Sequence, residues 1–369
     1  MKIGIDISML VYQGSGVATY TYNLVKNLLK YDRKNKYRLF YSSLRRPKDF
    51  YYLQEFRKLG AKVYNYPLPP RLLKLFWNKL HVFPVEWLIG KVDVYHSSDY
   101  LRPPLLKGTK GLTTIHDLTW KLFPQYHTQD VIKAHENKLK KTIKFKDAII
   151  VDSQNTKKDL YMSFTKAQKN PISVIYPGVG DNFRKISDKS AIKKVLNKYK
   201  LKYTVNYLLY VGAIEPRKNL ITAIKVFNNL LKDKKYSDFK FLIVGRAGWK
   251  NERVFQLIKD LKLDNKIIFV GYVNDVDLPY LYNCAKVFIY LSLYEGFGLP
   301  PLEAAKCKTP SLIYKNSSLK EIFPENYPFT KKKNELITLK ELINGKKINF
   351  DFVKTYSWEN YCQKFISLY

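Results

Sequence analysis

Apolar residues in this chain gather into short runs separated by longer stretches of helical period. Lys2 to Ile7, Tyr37 to Tyr41, Lys62 to Tyr64, Val92 to His96, Gly111 to His116 and Ala148 to Asp152 are rich in β-branched or aromatic residues. Runs of this length with little in/out alternation predict strands covered on both faces, as in a parallel sheet. Between them, Ala18 to Lys30 and Val131 to Lys144 carry the apolar stripe of a helix with one buried face. A second series predicts strands at Tyr207 to Gly212, Phe239 to Gly245, Lys266 to Val270, Val287 to Leu291 and Pro310 to Tyr314. Helices fit at Asn219 to Leu231, Glu252 to Leu261 and Pro301 to Lys306. Strand and helix in alternation predict an α/β protein of two doubly wound, Rossmann-like domains, with ligands bound at the carboxyl ends of the strands.

Length supports two domains, because 369 residues exceed the size at which one core keeps growing. Cys284, Cys307 and Cys362 are odd in number and far apart, which points to a reducing compartment and no structural zinc. The opening MKIGIDISML has an acid within its apolar run and reads as a strand, not a signal peptide. A cytoplasmic protein is expected. The net charge of +34 predicts attraction to a polyanion: nucleic acid, an anionic membrane or a phosphorylated substrate. No zinc-finger spacing, RNA-binding aromatic signature or recognition module accompanies it, so the membrane ranks above nucleic acid. Residues 71–90, RLLKLFWNKLHVFPVEWLIG, give the membrane a location. Arg71, Lys74 and Lys79 lie among Trp77, Phe83 and Trp87, and the first half suits a basic amphipathic helix at headgroup level or a surface helix packed on the sheet.

The candidate chemistry sits where predicted strands end. Val287 to Leu293 leads directly into Tyr294, Glu295, Gly296, Phe297, Gly298, Leu299, Pro300, Pro301, Leu302 and Glu303. Gly296 and Gly298 permit a tight turn with main-chain N–H groups facing a ligand, and a proline in the first turn opens a helix at no cost in hydrogen bonds. On this pattern alone the two glutamates suit a sugar, a nucleotide or solvent. In LLYVGAIEPRKNL, residues 208–220, a strand ends at Gly212 and presents Glu215, Arg217 and Lys218 before a helix. Two cations beside main-chain donors suit the charge that develops on a leaving diphosphate, although loop cations face solvent by default. GLTTIHDLTW, residues 111–120, sets His116 and Asp117 at another strand end. VYQGSGVATY carries Gly14, Ser15, Gly16 and Tyr20 between the first strand and helix, without the acid of a dinucleotide fingerprint. VGRAGWKNERVF, residues 244–255, supplies Gly245, Arg246 and Gly248. Ser153 fits a helix cap, and the Asp-Val-Asp at 275–277 reads as a turn into a helix, not a metal site.

Taken in order, the glycine loop, His-Asp element, Arg-Lys pair and Glu-seven-residues-Glu motif resemble the retaining glycosyltransferases of family 4, of GT-B architecture. That family includes sucrose synthase and many bacterial mannosyl- and glucosyltransferases. The resemblance spans nearly the whole chain and implies an acceptor domain at 1–177, a donor domain at 178–351, a central cleft, and a closing segment at 352–369 whose helix crosses back to the first domain. It implies that Arg217 and Lys218 clamp the donor diphosphate, Glu295 meets sugar hydroxyls, Gly296, Phe297, Gly298 and Leu299 cover the sugar and diphosphate, and Glu303 binds the ribose. His116 would bind a distal sugar hydroxyl, and Asp117 would fix its loop or approach the acceptor. Gly14 and Gly16 would lie near the donor phosphate and acceptor, Gly212 at the phosphates, and Arg246 against base, phosphate or acceptor. Some relatives have an arginine where this chain has Ala213, so one phosphate contact is absent.

The implied reaction is hexose transfer with retention, needing neither metal nor cofactor beyond the nucleotide-sugar substrate. IHDLTWKLFP and VGAIEPRKNL look closest to bacterial or archaeal mannosyltransferases of surface polysaccharides, which favours GDP-mannose over UDP-glucose or another UDP-sugar. The acceptor would be a glycan or lipid-linked glycan, met by a peripheral enzyme on the inner face of the cytoplasmic membrane. A noncatalytic sugar-nucleotide-binding scaffold and a basic nucleic-acid-binding protein are the alternatives.

Overall fold

The computed structural model describes residues 1–44, 50–98, 100–246, 248 and 251–369. The chain divides into two compact units, Met1–Gly178 together with Ser357–Tyr369, and Val179–Tyr356.

The first unit holds a parallel sheet of β1 (Lys2–Asp6), β2 (Lys36–Ser42), β3 (Lys62–Tyr66), β4 (Val94–Ser97), β5 (Lys110–Ile115), β6 (Ala148–Val151) and β7 (Ile172–Val174). Their order is β3-β2-β1-β4-β5-β6-β7, with the reversal between β1 and β4 that marks a doubly wound sheet. Ile3, Ile5, Leu39, Ile149, Ile150 and Val151 are fully or almost fully buried, as the apolar runs predict for strands covered on both faces. Helices begin where side chains satisfy their first N–H groups. Ser15 Oγ accepts from Ala18 N at 3.2 Å to open Gly16–Tyr31, and Ser153 Oγ accepts from Thr156 N at 3.0 Å to open Gln154–Ser163.

The last helix, Trp358–Ile366, returns to this first unit. Trp358, Tyr361, Cys362 and Phe365 join the core built by Tyr20, Leu24 and Leu28 of helix Gly16–Tyr31. The crossing is close: a Cβ at Gly178 would stand 2.3 Å from the backbone nitrogen of Trp358, so only glycine fits where the returning segment passes.

The second unit is also parallel, with β8 (Tyr207–Val211), β9 (Lys240–Val244), β10 (Ile267–Gly271), β11 (Val287–Tyr290) and β12 (Ser311–Ile313) in the order β10-β9-β8-β11-β12. Its reversal falls between β8 and β11. Helices Leu220–Leu231, Glu252–Asp260 and Leu299–Lys306 follow β8, β9 and β11.

One expectation is corrected. Residues 71–80 do not form a regular amphipathic helix with Trp77 outward: a single α-turn at Pro70–Leu73 passes into a π-helical stretch at Lys74–Leu80. That wider winding turns Trp77 inward, where it is 1% exposed, 5.2 Å from the Phe40 ring, and donates from Nε1 to Phe83 O at 3.0 Å. Lys74 also has an internal partner, its Nζ lying 4.8 Å from the Tyr100 ring centroid. The outward apolar residues are Leu75, Leu80, Val82, Phe83 and Trp87. Among the described residues no helix is long and apolar enough to cross a membrane.

Candidate active site

In the second unit the loops after β8 and β11 converge at the point where strand order reverses, the place where open α/β sheets bind ligands. The backbone ties them together, because Leu293 N donates to Arg217 O at 3.0 Å and Asn219 Nδ2 to Leu291 O at 3.1 Å. This brings Arg217, Lys218 and Glu295 into one cluster. Lys218 Nζ donates to both Glu295 oxygens, at 2.8 and 3.0 Å, and to the Tyr290 hydroxyl at 2.5 Å. Arg217 donates through Nη1 to Tyr294 O at 2.7 Å and Glu295 Oε2 at 3.2 Å, and through Nη2 to Glu215 Oε1 at 2.7 Å.

Electrostatics keeps Glu295 charged. Burial disfavours the Glu295 anion, but the attraction of Lys218 and then Arg217 outweighs it and holds the carboxyl at about 2. Burial likewise lowers Lys218, and Glu295 opposes that shift. A cluster of two cations and two carboxylates, all largely buried, is thus an electrically balanced unit fixed before any ligand arrives.

The turn leading away from Glu295 is fixed from the next loop. Ser317 Oγ accepts from Glu295 N at 2.9 Å, while Ser318 Oγ donates to Glu295 O at 3.1 Å and Phe297 O at 2.5 Å. Gly298 sits at φ 113, just before helix Leu299–Lys306, and a Cβ there would come 2.7 Å from the Leu319 side chain. Gly296, Phe297 and Leu299 lie in or against this buried turn, Phe297 with its ring 6.0 Å from that of Tyr356. Glu303 points elsewhere. It is 8% exposed and accepts from the Tyr282 hydroxyl at 3.0 Å, and burial, reinforced by Asp275, raises its pKa to about 8.

The ends of β8 and β9 approach through glycines. Gly245 has φ 138, and a Cβ on it would lie 2.0 Å from the Gly212 carbonyl oxygen. Arg246 is exposed and stacks over Tyr272, 5.3 Å from its ring centroid. Ala247, Trp249 and Lys250 of this loop lie outside the described residues. Within the Asp-Val-Asp turn, Asp277 is engaged by Lys198 Nζ at 2.5 Å and the Tyr199 hydroxyl at 2.7 Å.

The first unit sets His116 just beyond the end of β5. Its Nδ1 lies 2.6 Å from Asp152 Oδ2, and its ring meets Tyr20 edge-on at 4.5 Å. Asp117 is turned into its own loop, accepting from Thr119 N at 2.9 Å and Thr119 Oγ1 at 2.6 Å. Gly14, at φ 78, shapes the turn before helix Gly16–Tyr31, and a side chain at Gly16 would meet open space.

Two family models account for these two halves: Glycosyltransferase Family 4 matches residues 14–183, and Glycosyl transferases group 1 matches residues 191–344. The chain belongs to the family 4 glycosyltransferases of GT-B fold. It is related to bacterial mannosyltransferases of polysaccharide synthesis. O-antigen chain mannosyltransferase B of Escherichia coli is 28% identical over 335 residues, covering 87% of this chain and 84% of that protein. O-antigen chain mannosyltransferase RfbU of Salmonella typhimurium is 29% identical, covering 70% and 62%. Among solved structures, sucrose-phosphate synthase of Thermosynechococcus elongatus aligns with a TM-score of 0.73 at 18% identity, over 100% of this chain and 98% of that one.

Sequence reasoning about this glycosyltransferase did not single out Asp152, Tyr290, Ser317 or Ser318 as site residues. Ser317 and Ser318 reach the Glu295 loop from more than twenty residues downstream, and no local spacing marks them. Asp152 was the most accessible of the four, since it ends a predicted strand as His116 does.

Proposed function

We propose that this family 4 glycosyltransferase moves mannose from GDP-mannose to a hydroxyl of a glycan or lipid-linked glycan, with retention at the anomeric carbon. More broadly, it is a nucleotide-sugar-dependent enzyme that transfers a hexose to a glycan or lipid acceptor. The observation that carries the reading is the buried Arg217, Lys218 and Glu295 cluster at the strand-order reversal of the second unit.

In this reading, Arg217 and Lys218 stabilise the diphosphate as it gains charge, an effect worth about 3–4 kcal/mol for a well-placed donor. Glu295 anchors Lys218 and accepts sugar hydroxyls, the turn from Gly296 to Leu299 offers main-chain N–H groups, and Glu303 accepts a ribose hydroxyl. Gly212 and Gly245 keep side chains away from the phosphates and base, with Arg246 beside the base. On the first unit, His116 serves a distal sugar hydroxyl, Asp117 holds its loop, and Gly14 and Gly16 leave room near phosphate and acceptor. The mannosyltransferase names of the two relatives favour mannose.

A UDP-sugar is the second reading. A galactosyltransferase of Escherichia coli whose name specifies UDP-Gal is 28% identical over 158 residues. The enzyme would work at the inner face of the cytoplasmic membrane, where exposed Leu80, Val82, Phe83 and Trp87, with Lys79 and a chain charge of +34, suit an anionic surface. A panel of GDP- and UDP-sugars with extracted lipid-linked acceptors, followed by anomeric analysis of the product, tests the proposal. Transfer from GDP-mannose with retention is expected. An inverted product overturns the mechanism, turnover confined to UDP-sugars overturns the donor, and no turnover with any sugar overturns the enzyme reading.

A further inference from the structure

The buried carboxylate of Asp152 is not the cap of the helix that follows it. Ser153, the next residue, already caps helix Gln154–Ser163, and β6 ends at Val151. Asp152 is 5% exposed, and its Oδ2 lies 2.6 Å from His116 Nδ1. Among the described residues its Oδ1 finds no hydrogen-bond partner. A buried carboxylate oxygen left without a partner is costly, so such a group is retained for what its other oxygen does.

We infer that Asp152 is the positioning residue of His116: its carboxylate accepts a hydrogen bond from Nδ1–H, fixes ring and tautomer, and leaves Nε2 as acceptor for a sugar hydroxyl. Histidine's two nitrogens are not equivalent, and the partner of one decides the chemistry of the other. With the proton held on Nδ1, neutral His116 carries a lone pair on Nε2. A hydroxyl can donate to that lone pair. With the opposite tautomer the same hydroxyl would meet an N–H and have to turn round. The edge-on Tyr20 ring at 4.5 Å restrains the imidazole from the side of helix Gly16–Tyr31.

Several groups around the pair are engaged by partners of their own. Asp117 is occupied by Thr119. The Tyr20 hydroxyl is turned to Thr114 and Tyr361, at 3.2 and 2.5 Å. His96, fully buried on β4, is held neutral by desolvation, with Lys138 adding to that effect, and its Nε2 lies 2.8 Å from Thr114 Oγ1. Lys138 spends a hydrogen bond on Thr114 O at 2.9 Å. Among the described residues Asp152 is a carboxylate in hydrogen-bond contact with the imidazole, and His116 opposes the rise that burial imposes on its pKa.

The assignment rests on the proposed placement of His116 at the donor sugar, and the two are tested by different readouts. Nitrogen NMR of the ligand-free enzyme should show the neutral His116 proton on Nδ1. Asp152→Asn should lower the imidazole pKa by about 1–2 units, the effect of removing an adjacent opposite charge. A proton on Nε2 in the wild type, or an unchanged titration in Asp152→Asn, overturns the dyad whatever the reaction proves to be. In turnover, Asp152→Asn should lower kcat about 10–100-fold with a smaller change in donor KM, and Asp152→Glu should recover part of the loss. In a His116→Ala background, Asp152→Asn should cost nothing further, because it acts through the ring. Equal costs in both backgrounds overturn the positioning role. If His116→Ala itself leaves turnover intact, the donor-site placement of His116 fails while the NMR result stands. Should Asp152→Asn not fold, the wild-type tautomer and the Asp152→Glu pH profile decide, an unshifted profile counting against the dyad.

Discussion

At the scale of single residues, the two glutamates of the motif have opposite electrostatic fates. Glu295 is driven down to about 2 by its cations against burial, whereas Glu303 is driven up to about 8 by burial and the neighbouring Asp275. Neither carboxyl is among the causes of the other's shift, so the two sit in separate electrostatic environments. The signs of their stability effects differ accordingly. Glu295 contributes stability above its unfolded value of 4.5 and loses it as pH falls towards 2. Glu303 does the reverse: between pH 4.5 and 8 the folded protein keeps a proton that the unfolded chain releases, so stability falls as pH rises. The slope has a ceiling of about 1.4 kcal/mol per pH unit for one proton. Urea unfolding of Glu303→Gln should therefore show a shallower stability loss between pH 5 and 8 than the wild type, and parallel curves would refute the assignment. Lys218→Ala should leave Glu295 buried with Arg217 alone. We expect about 3–5 kcal/mol of destabilisation, the cost of breaking a buried pair, with a 100- to 1,000-fold lower kcat. Denaturation and steady-state kinetics on the same preparation check both, and full activity would remove Lys218 from the site.

At the scale of elements, strands were legible and local winding was not. Runs such as Ile3 to Ile7 and Val287 to Leu291 are apolar on both faces because both faces are buried, and that condition leaves a plain trace in sequence. β7, only three residues of intermediate burial, leaves almost none. The segment 71–80 differs for another reason: its basic and aromatic residues suit an amphipathic helix, but it winds as a π-helical stretch with Trp77 packed against Phe40, a long-range contact that no local pattern encodes. The same division holds in the site. Arg217, Lys218 and Glu295 are found by motif, while Tyr290 and Ser318 enter only when distant loops are brought together. With Trp77 buried, the exposed aromatic residues of this segment are Phe83 and Trp87. Phe83 is held at φ 74, a costly backbone conformation for an aromatic residue; the residue is 45% exposed and its ring lies 5.1 Å from that of Trp87. The double variant Phe83→Ser, Trp87→Ser should weaken binding to anionic vesicles about tenfold or more and leave donor affinity unchanged. Trp77→Ser should instead destabilise the first unit, and undiminished vesicle binding by the double variant would eliminate this surface as the anchor.

At the scale of the whole molecule, the chain closes on itself: it leaves the first unit after Gly178, builds the second, and comes back at Ser357. The returning helix is part of the first unit's core rather than a cover on it. Phe365 and Cys362 are fully buried, Tyr361 is 1% exposed, and the Tyr20 and Tyr361 hydroxyls meet at 2.5 Å across 341 positions of sequence. The first unit's stability thus depends on residues synthesised after the second unit is complete. Phe365→Ala removes an aromatic ring from that core, and such a loss costs about 3–5 kcal/mol. Its effect should be local in space but not in sequence. Hydrogen exchange should accelerate in β1, β2 and helix Gly16–Tyr31, whose side chains share the cluster with Phe365, while β8, β9 and β11 keep their protection. A uniform acceleration through both units would mean that they unfold as one, and acceleration confined to residues 358–369 would mean that the helix is dispensable to the core it enters.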